Sequence, residues 1–90
     1  MSRAPSRLPE LVTDAARRDP ERDAVVMDAA RLSYRSLEEG SNRLARSLRA
    51  HGVRRGDRVA MWLPKSPEAI VALYGIMKAG AAYVPVDMMP

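Results

Sequence analysis

Apolar positions follow a helical period in two stretches of the chain. The first predicts a helix over residues 8–18 with one apolar stripe, formed by Leu8, Leu11, Val12, Ala15 and Ala16. The second predicts a longer helix that starts after Ser33 as its N-cap, with Ser36 as the alternative cap, and ends at Gly52. Its apolar face consists of Leu37, Ser41, Leu44, Ala45 and Leu48.

Short runs of β-branched and apolar residues predict the strands. Residues 24–27 predict one strand, which a turn over residues 28–31 joins to a second short strand at 31–33. Residues 58–63 are nearly all apolar, as in a strand buried on both faces of a sheet. Ser66 and Pro67 then open a helix over residues 67–79 with Gly80 as its C-cap, and residues 82–86 form a further strand. Strand, helix and strand predict a parallel, right-handed βαβ unit.

This order of elements predicts the α/β class, with a partial, open and mostly parallel sheet and flanking helices (β-α-β-α-β). The sequence stops four residues after its last strand, with no helix to cover it. We therefore expect the opening of a larger α/β domain, with residues 1–7 as a flexible N-terminus and residues 8–90 as an incomplete domain. We also expect weak independent stability, because so small a chain buries a modest share of its surface.

Composition excludes several kinds of site. The 90 residues contain no cysteine and one histidine, His51, which excludes disulfide scaffolds, thiolate sites and histidine-rich metal clusters. No apolar run is long enough to cross a bilayer, and residues 1–5 lack the apolar stretch of a secretory signal. A soluble, cytoplasmic protein without a membrane partner is expected.

The chain carries a net charge of +4, and its excess of positive charge lies in residues 31–58, which contain eight arginines and three acidic residues. Arg43, Arg46 and Arg49 recur at spacing three on one helix face, where they could bind phosphate or nucleic acid. A solvated face with an intrahelical Glu39–Arg43 pair explains them better, because no aromatic residues lie between the arginines. No nucleic-acid partner is predicted, and a nucleic-acid binder would show steep salt dependence.

Four other side chains are candidates for a site. Trp62 and Tyr83 could form ligand platforms, although their aliphatic neighbours favour core packing. His51 could be a general base, but its place favours a cap at a helix C-terminus. Lys65 follows a parallel strand, where ligands gather in open α/β sheets, although most charged loop residues are only solvated. Gly75 and its neighbouring alanines indicate close packing between helix and sheet.

No catalytic constellation is present in the sequence. It has no glycine-rich phosphate loop, no nucleophile elbow and no carboxylate pair placed for acid–base chemistry. We therefore assign no catalytic, cofactor-binding or metal-binding residue.

Three stretches in order are similar to opening motifs of the adenylate-forming (AMP-dependent synthetase/ligase) superfamily. They are residues 32–37, residues 41–60 and residues 77–87, the last reading Met-Lys-Ala-Gly-Ala-Ala-Tyr-Val-Pro-Val-Asp. The resemblance covers residues 8–87, and the residues of the motifs are most similar to those of nonribosomal peptide synthetase adenylation domains or acyl-CoA ligases. Two departures are Ser36, where the family often has Glu, and residues 88–90, where the usual continuation is altered.

The resemblance implies the N-terminal part of the large N-terminal domain of such a ligase. Its members couple a carboxylate to ATP, release pyrophosphate, and pass the acyl group to a thiol of CoA or of a carrier-protein phosphopantetheine. ATP and Mg²⁺ are implied for the full-length family, whose phosphate loop, nucleotide-binding residues and adenylating lysine lie downstream. No such residue carries over to this chain, so the isolated segment is expected to bind no cofactor and to be inactive.

Two readings of the chain's role remain open. In the first, its partner is the remainder of the ligase domain, with a carrier protein or a small accessory protein as further candidates. In the second, it is a non-catalytic interaction module, or half of a split enzyme, that docks on a complementary fragment, carrier or accessory protein.

Overall fold

The computed structural model describes residues 8–62 and 64–86, which form helices and short strands in the predicted order. The elements are α1 (Leu8–Arg18), β1 (Asp23–Met27), β2 (Ala30–Ser33), α2 (Tyr34–Ala50), β3 (Arg58–Met61), α3 (Pro67–Lys78) and β4 (Ala82–Pro85). The α/β class is confirmed. The flexible N-terminus expected at 1–7 and the altered motif at 88–90 lie outside the described residues.

The first two strands form an antiparallel hairpin. Met27 pairs with Ala30 across a two-residue turn, in which Asp28 has a φ of 51°. Aspartate tolerates this left-handed conformation better than most residues. The turn is therefore shorter than the one expected over residues 28–31, and β2 begins one residue earlier than predicted.

The last two strands pair in parallel and confirm the βαβ unit. Arg58 lies opposite Ala82 and Met61 opposite Pro85, with α3 as the connection. The expectation of one mostly parallel sheet needs correction, because the described strands form two separate two-stranded sheets. A two-residue turn allows only antiparallel pairing between β1 and β2, and this hairpin contacts α2 and α3 instead of extending the parallel pair.

Packing of α2 against α3 forms the centre of the molecule. Each helix contributes three buried residues, namely Leu37, Ser41 and Ala45 of α2 and Ala72, Gly75 and Ile76 of α3. A Cβ on Gly75 would lie 2.7–2.9 Å from side-chain atoms of Leu44. The close packing predicted at Gly75 is present, but it joins two helices and not a helix and a sheet.

Local capping explains where the two longer helices begin and end. The Ser33 Oγ accepts a hydrogen bond from the Ser36 N–H at 3.1 Å, and the Ser66 Oγ accepts one from Ala69 at 3.2 Å. Gly52 and Gly80 follow the two helices with φ values of 100° and 86°. In each case the next N–H donates back into the last helical turn, at 3.0 and 3.1 Å.

Several apolar side chains predicted to be buried are exposed. The strand expected over residues 58–63 ends at Met61 and alternates between exposed and half-buried residues, so the prediction of burial on both faces is wrong. Of the α1 stripe, Val12 is buried whereas Leu8 and Leu11 are exposed. A strand pair with α3 on one side keeps apolar surface in solvent on the other.

Candidate functional site

The most highly connected polar side chain lies between the three helices. Glu38 of α2 accepts hydrogen bonds from the Thr13 hydroxyl of α1 at 2.9 and 3.0 Å, and from the Lys78 Nζ of α3 at 2.8 Å. Asn42, one turn along α2, donates to Glu38 at 3.4 Å and accepts from Lys78 at 2.9 Å. We call these four residues the polar cluster.

Burial and hydrogen bonding act in opposite directions on the Glu38 carboxyl. The side chains of Lys78 and Glu38 are 11% and 19% exposed. Burial by itself raises the pKa of Glu38, but hydrogen bonds from Lys78 and Thr13, the Lys78 charge and the Asn42 amide together lower that pKa below its ordinary value. The carboxylate is therefore charged at neutral pH and has no proton to donate as a general acid. Its hydrogen bonds join the three helices instead.

Sequence reasoning missed the polar cluster. The one local signal was the spacing of Glu38 and Asn42, which places them on the same side of a helix. Thr13 and Lys78 lie 25 and 40 residues away from Glu38 in the sequence. Their pairing depends on how three helices pack, which no local pattern specifies.

The arginine face of α2 is exposed, as the solvated interpretation predicted. Arg43, Arg46 and Arg49 all face solvent. The expected Glu39–Arg43 pair is absent from the ion pairs of the residues that the structure describes. Arg49 instead donates to the Lys78 carbonyl oxygen at 2.6 Å, because the C-terminal end of α3 attracts a cation.

The other candidates lie apart from one another. His51 is the C-cap of α2, with its Nδ1 2.8 Å from the Ser47 carbonyl oxygen, which confirms the capping interpretation. Lys65 is exposed in the loop between β3 and α3. Tyr83 is half-buried in β4, whereas Trp62, at 56% exposed, contradicts the prediction of core packing because no described element covers it.

Two features are absent from the described part of the chain. Within residues 8–62 and 64–86, no three His, Asp or Glu side chains converge as metal ligands. None of the helices there combines the length and the hydropathy needed to span a bilayer. In the described residues, the hydrogen bonds and the ion pair of the polar cluster hold the three helices together, as in a structural scaffold.

Comparison with known proteins identifies the family of this scaffold. The profile of a family described as AMP-binding enzyme matches residues 12–89. The chain belongs to this AMP-binding enzyme family. The resemblance seen in the motifs at residues 32–37, 41–60 and 77–87 is thereby confirmed.

Relatives and solved structures of the family give the same result. Syringomycin synthase SyrB1 of Pseudomonas syringae pv. syringae is 50% identical over 80 residues, which are 89% of this chain and 13% of that protein. The N-terminal subdomain of Klebsiella oxytoca NpsA superposes with a TM-score of 0.81 and 33% identity, covering 92% of this chain and 22% of that one. The nonribosomal peptide synthetase FmoA3, bound to α-methyl-L-serine-AMP, gives a TM-score of 0.83 and 42% identity over 89% of this chain and 9% of its own.

These likenesses establish what part of an AMP-binding enzyme the chain corresponds to. Its fold is that found within the N-terminal subdomain of adenylation enzymes, and nonribosomal peptide synthetases are among its relatives. The chain spans about an eighth of the length of SyrB1. It is similar to a small, structurally defined segment of these larger enzymes.

Proposed function

We propose that this chain forms the first part of the large N-terminal domain of an ATP-dependent, carboxylate-activating ligase. That ligase joins a carboxylate to AMP with release of pyrophosphate, and transfers the acyl group to a thiol of CoA or a carrier protein. The observation that carries the proposal is the likeness to FmoA3, whose structure holds α-methyl-L-serine-AMP, an adenylate of the kind that such a ligase forms.

The segment's role in the ligase is to support the site and not to perform the chemistry. Adenylyl transfer requires positioned donors and Mg²⁺ around the phosphates. The βαβ unit and the polar cluster supply a rigid platform, whereas ATP, Mg²⁺ and the acceptor thiol are bound by the remainder of the domain. Residues 8–90 are accordingly an incomplete domain whose first partner is that remainder, in the cytoplasm, with a carrier or accessory protein as a further partner.

An exchange of segments tests this proposal. Residues 8–86 replace the homologous segment of FmoA3, and ATP–pyrophosphate exchange is measured with α-methyl-L-serine. We expect exchange within about tenfold of the parent, and the same amino-acid preference, because a scaffold leaves transition-state contacts in place. The matched control carries the homologous segment of SyrB1.

The control defines the result that would refute the proposal. A folded hybrid with this chain's segment that shows no exchange, beside an active SyrB1 hybrid, would mean that residues 8–86 do not serve as the ligase scaffold. A hybrid that changes its preferred amino acid would show that the segment contributes directly to the substrate pocket, contrary to the proposal.

The isolated 90-residue chain should show no ATP–pyrophosphate exchange with any carboxylic acid. The reason is that the described residues provide no loop to hold the phosphates. The measurement uses the purified chain at high concentration with a panel of amino and fatty acids. Exchange above the protein-free background would overturn the assignment of a purely supporting role.

A further inference from the structure

An open cleft of about 1420 Å³ runs between α1, the second half of α2, the turn before β3, and the end of α3 with β4. Apolar side chains contribute to its floor, among them Leu73, Met77 and Tyr83. Four arginines from three parts of the chain line it as well, namely Arg17, Arg46, Arg49 and Arg55. Small-molecule pockets measure about 300–1,000 Å³, so the cleft is large enough for a segment of polypeptide.

Two of these arginines have no ionic partner among the described residues. Arg17 pairs with Asp14 at 3.2 Å, and Arg49 donates to the Lys78 carbonyl oxygen. Arg46 and Arg55 take part in none of the ion pairs between residues that the structure describes. The cleft therefore presents uncommitted guanidinium groups beside apolar surface, and an occupant with carboxylates and apolar side chains would complement both.

We propose that an acidic, amphipathic segment from the remainder of the same ligase occupies this cleft. The inference rests on the proposed function, since it assumes that the chain is one part of a larger domain. The chain covers 22% of the NpsA N-terminal subdomain that it resembles. Most of such a subdomain therefore lies outside this segment and can supply the occupant of a cleft lined partly by apolar side chains.

The same cleft is poorly suited to nucleic acid. Binding of single strands needs aromatic platforms on which bases stack. Tyr83 is the one aromatic side chain among the lining residues, and it is half-buried. Glu10 and Asp14 also line the cleft and would repel phosphates and carboxylates alike, so the anionic groups of an occupant have to lie nearer Arg46 and Arg55. An acidic peptide, whose carboxylates can be spaced to avoid these two, is the better occupant.

The first test measures binding of a probe peptide by fluorescence anisotropy. The probe is a fluorescein-labelled 15-residue peptide of glutamate and leucine in a helical pattern, and its partner is the 90-residue chain, with helical content checked by circular dichroism. We expect binding that weakens at least tenfold between 50 and 300 mM salt, and at least tenfold in R46E/R55E. The control R43E/R58E makes the same charge change at exposed arginines outside the cleft and should bind within threefold of the wild type.

Three outcomes of this test would overturn the inference. They are a folded chain that does not bind the peptide, equal binding of a glutamine–leucine peptide, and equal weakening by R43E/R58E. Each would mean that Arg46 and Arg55 do not form a specific binding site for carboxylates.

The second test uses the full-length protein that contains this chain and decides the source of the occupant. If the occupant is part of the same ligase, the full-length protein should not bind the probe, and R46E/R55E should lower its melting temperature by about 2 °C or more relative to R43E/R58E. Tight probe binding by the full-length protein would show an open cleft that serves a separate acidic partner, contrary to the inference. Equal melting temperatures of the two variants would also overturn it.

These outcomes are distinct from a failure of the proposed function. An inactive FmoA3 hybrid beside an active SyrB1 hybrid would refute the ligase role whatever the state of the cleft. An active hybrid with equal melting temperatures for the two charge-reversal variants would preserve the ligase role and refute the cleft's occupant alone.

Discussion

At the scale of single residues, Gly75 determines how closely α2 and α3 approach. Its missing side chain leaves room for Leu44, whose side-chain atoms lie 2.7–2.9 Å from where a Cβ would be. Small residues in the sequence around Gly75 predicted close packing, but the partner could not be read from the sequence. Which neighbour occupies the space depends on how α2 and α3 cross, and the two residues in contact are far apart in the sequence.

Substitution of Gly75 by alanine should therefore destabilise the protein. A Cβ within 3 Å of Leu44 forces the side chain or the helix to shift, which costs about 1–3 kcal/mol in the free energy of unfolding. Urea unfolding of G75A, of L44A and of the double variant checks this expectation. The double variant should be more stable than the sum of the single effects predicts. If the effects of G75A and L44A on the free energy of unfolding are strictly additive, the two side chains do not interact, which would contradict the contact between positions 44 and 75.

The lowered pKa of Glu38 predicts a pH dependence of stability. The charged carboxylate is favoured in the folded state, so its contribution is complete above its ordinary pKa of 4.5 and is lost as pH falls through the lowered pKa of the folded state. Stability measured by urea unfolding between pH 7 and pH 3 should fall less steeply below 4.5 in E38Q than in the wild type. E39Q, which changes the exposed neighbouring carboxylate, is the control and should retain the wild-type slope.

A related experiment separates Glu38 from its partner. K78M leaves a partly buried carboxylate without its cation, so it should destabilise the fold by about 2 kcal/mol, whereas adding E38Q to it should recover part of that loss. Chemical denaturation of the two single variants and of the double variant measures the coupling energy. A coupling energy near zero would mean that the hydrogen bonds seen in the polar cluster do not stabilise the fold.

At the scale of elements, the sequence predicted most boundaries because the signals that set them are local. Ser33, Ser66, Gly52 and Gly80 act within one helical turn, and the structure confirms each of them. The failures occurred where an element's surroundings decide the result. Leu11 and Trp62 lie in apolar patterns that suggest burial, yet no described neighbour covers them.

The choice between two possible caps of α2 can be tested directly. Ser33 accepts the hydrogen bond from the N–H of Ser36, so S33A should lower the free energy of unfolding by about 1 kcal/mol. Ser36 lies inside the first turn, and S36A should cost less than about 0.5 kcal/mol. Thermal unfolding of the two variants side by side measures the difference. A larger loss of free energy of unfolding in S36A than in S33A would indicate that Ser36, and not Ser33, caps α2.

At the scale of the whole molecule, the motifs led to the right family although no catalytic residue could be assigned. Resemblance carries more information than composition here, because the motif at residues 32–37 includes the N-cap of α2, and the described part of the last motif, residues 77–86, belongs to the βαβ unit. The polar cluster and the arginine-lined cleft could not be predicted, since both assemble from helices far apart in the sequence. They required the packing of α1 against α2 and α3.

Weak independent stability remains a prediction at this scale. The exposed side chains Leu11, Val26 and Trp62 keep apolar surface in water that burial would stabilise. Urea unfolding of the purified 90-residue chain, which is folded without denaturant, should give a broad transition at low denaturant; the variants described above are therefore compared in the longer protein that contains this chain. A sharp, cooperative transition of a monomer would contradict this and would favour an interaction module that folds alone.

The mass of the protein that carries this segment in its native host shows directly whether the segment belongs to a larger ligase. An antibody raised against residues 36–52, most of which belong to α2, identifies the protein, and intact mass spectrometry then measures it. If the chain is the scaffold segment of an adenylate-forming ligase, the recognised species should be several times heavier than the 10.0 kDa of these 90 residues. A stable species of 10.0 kDa as the sole product would contradict the account.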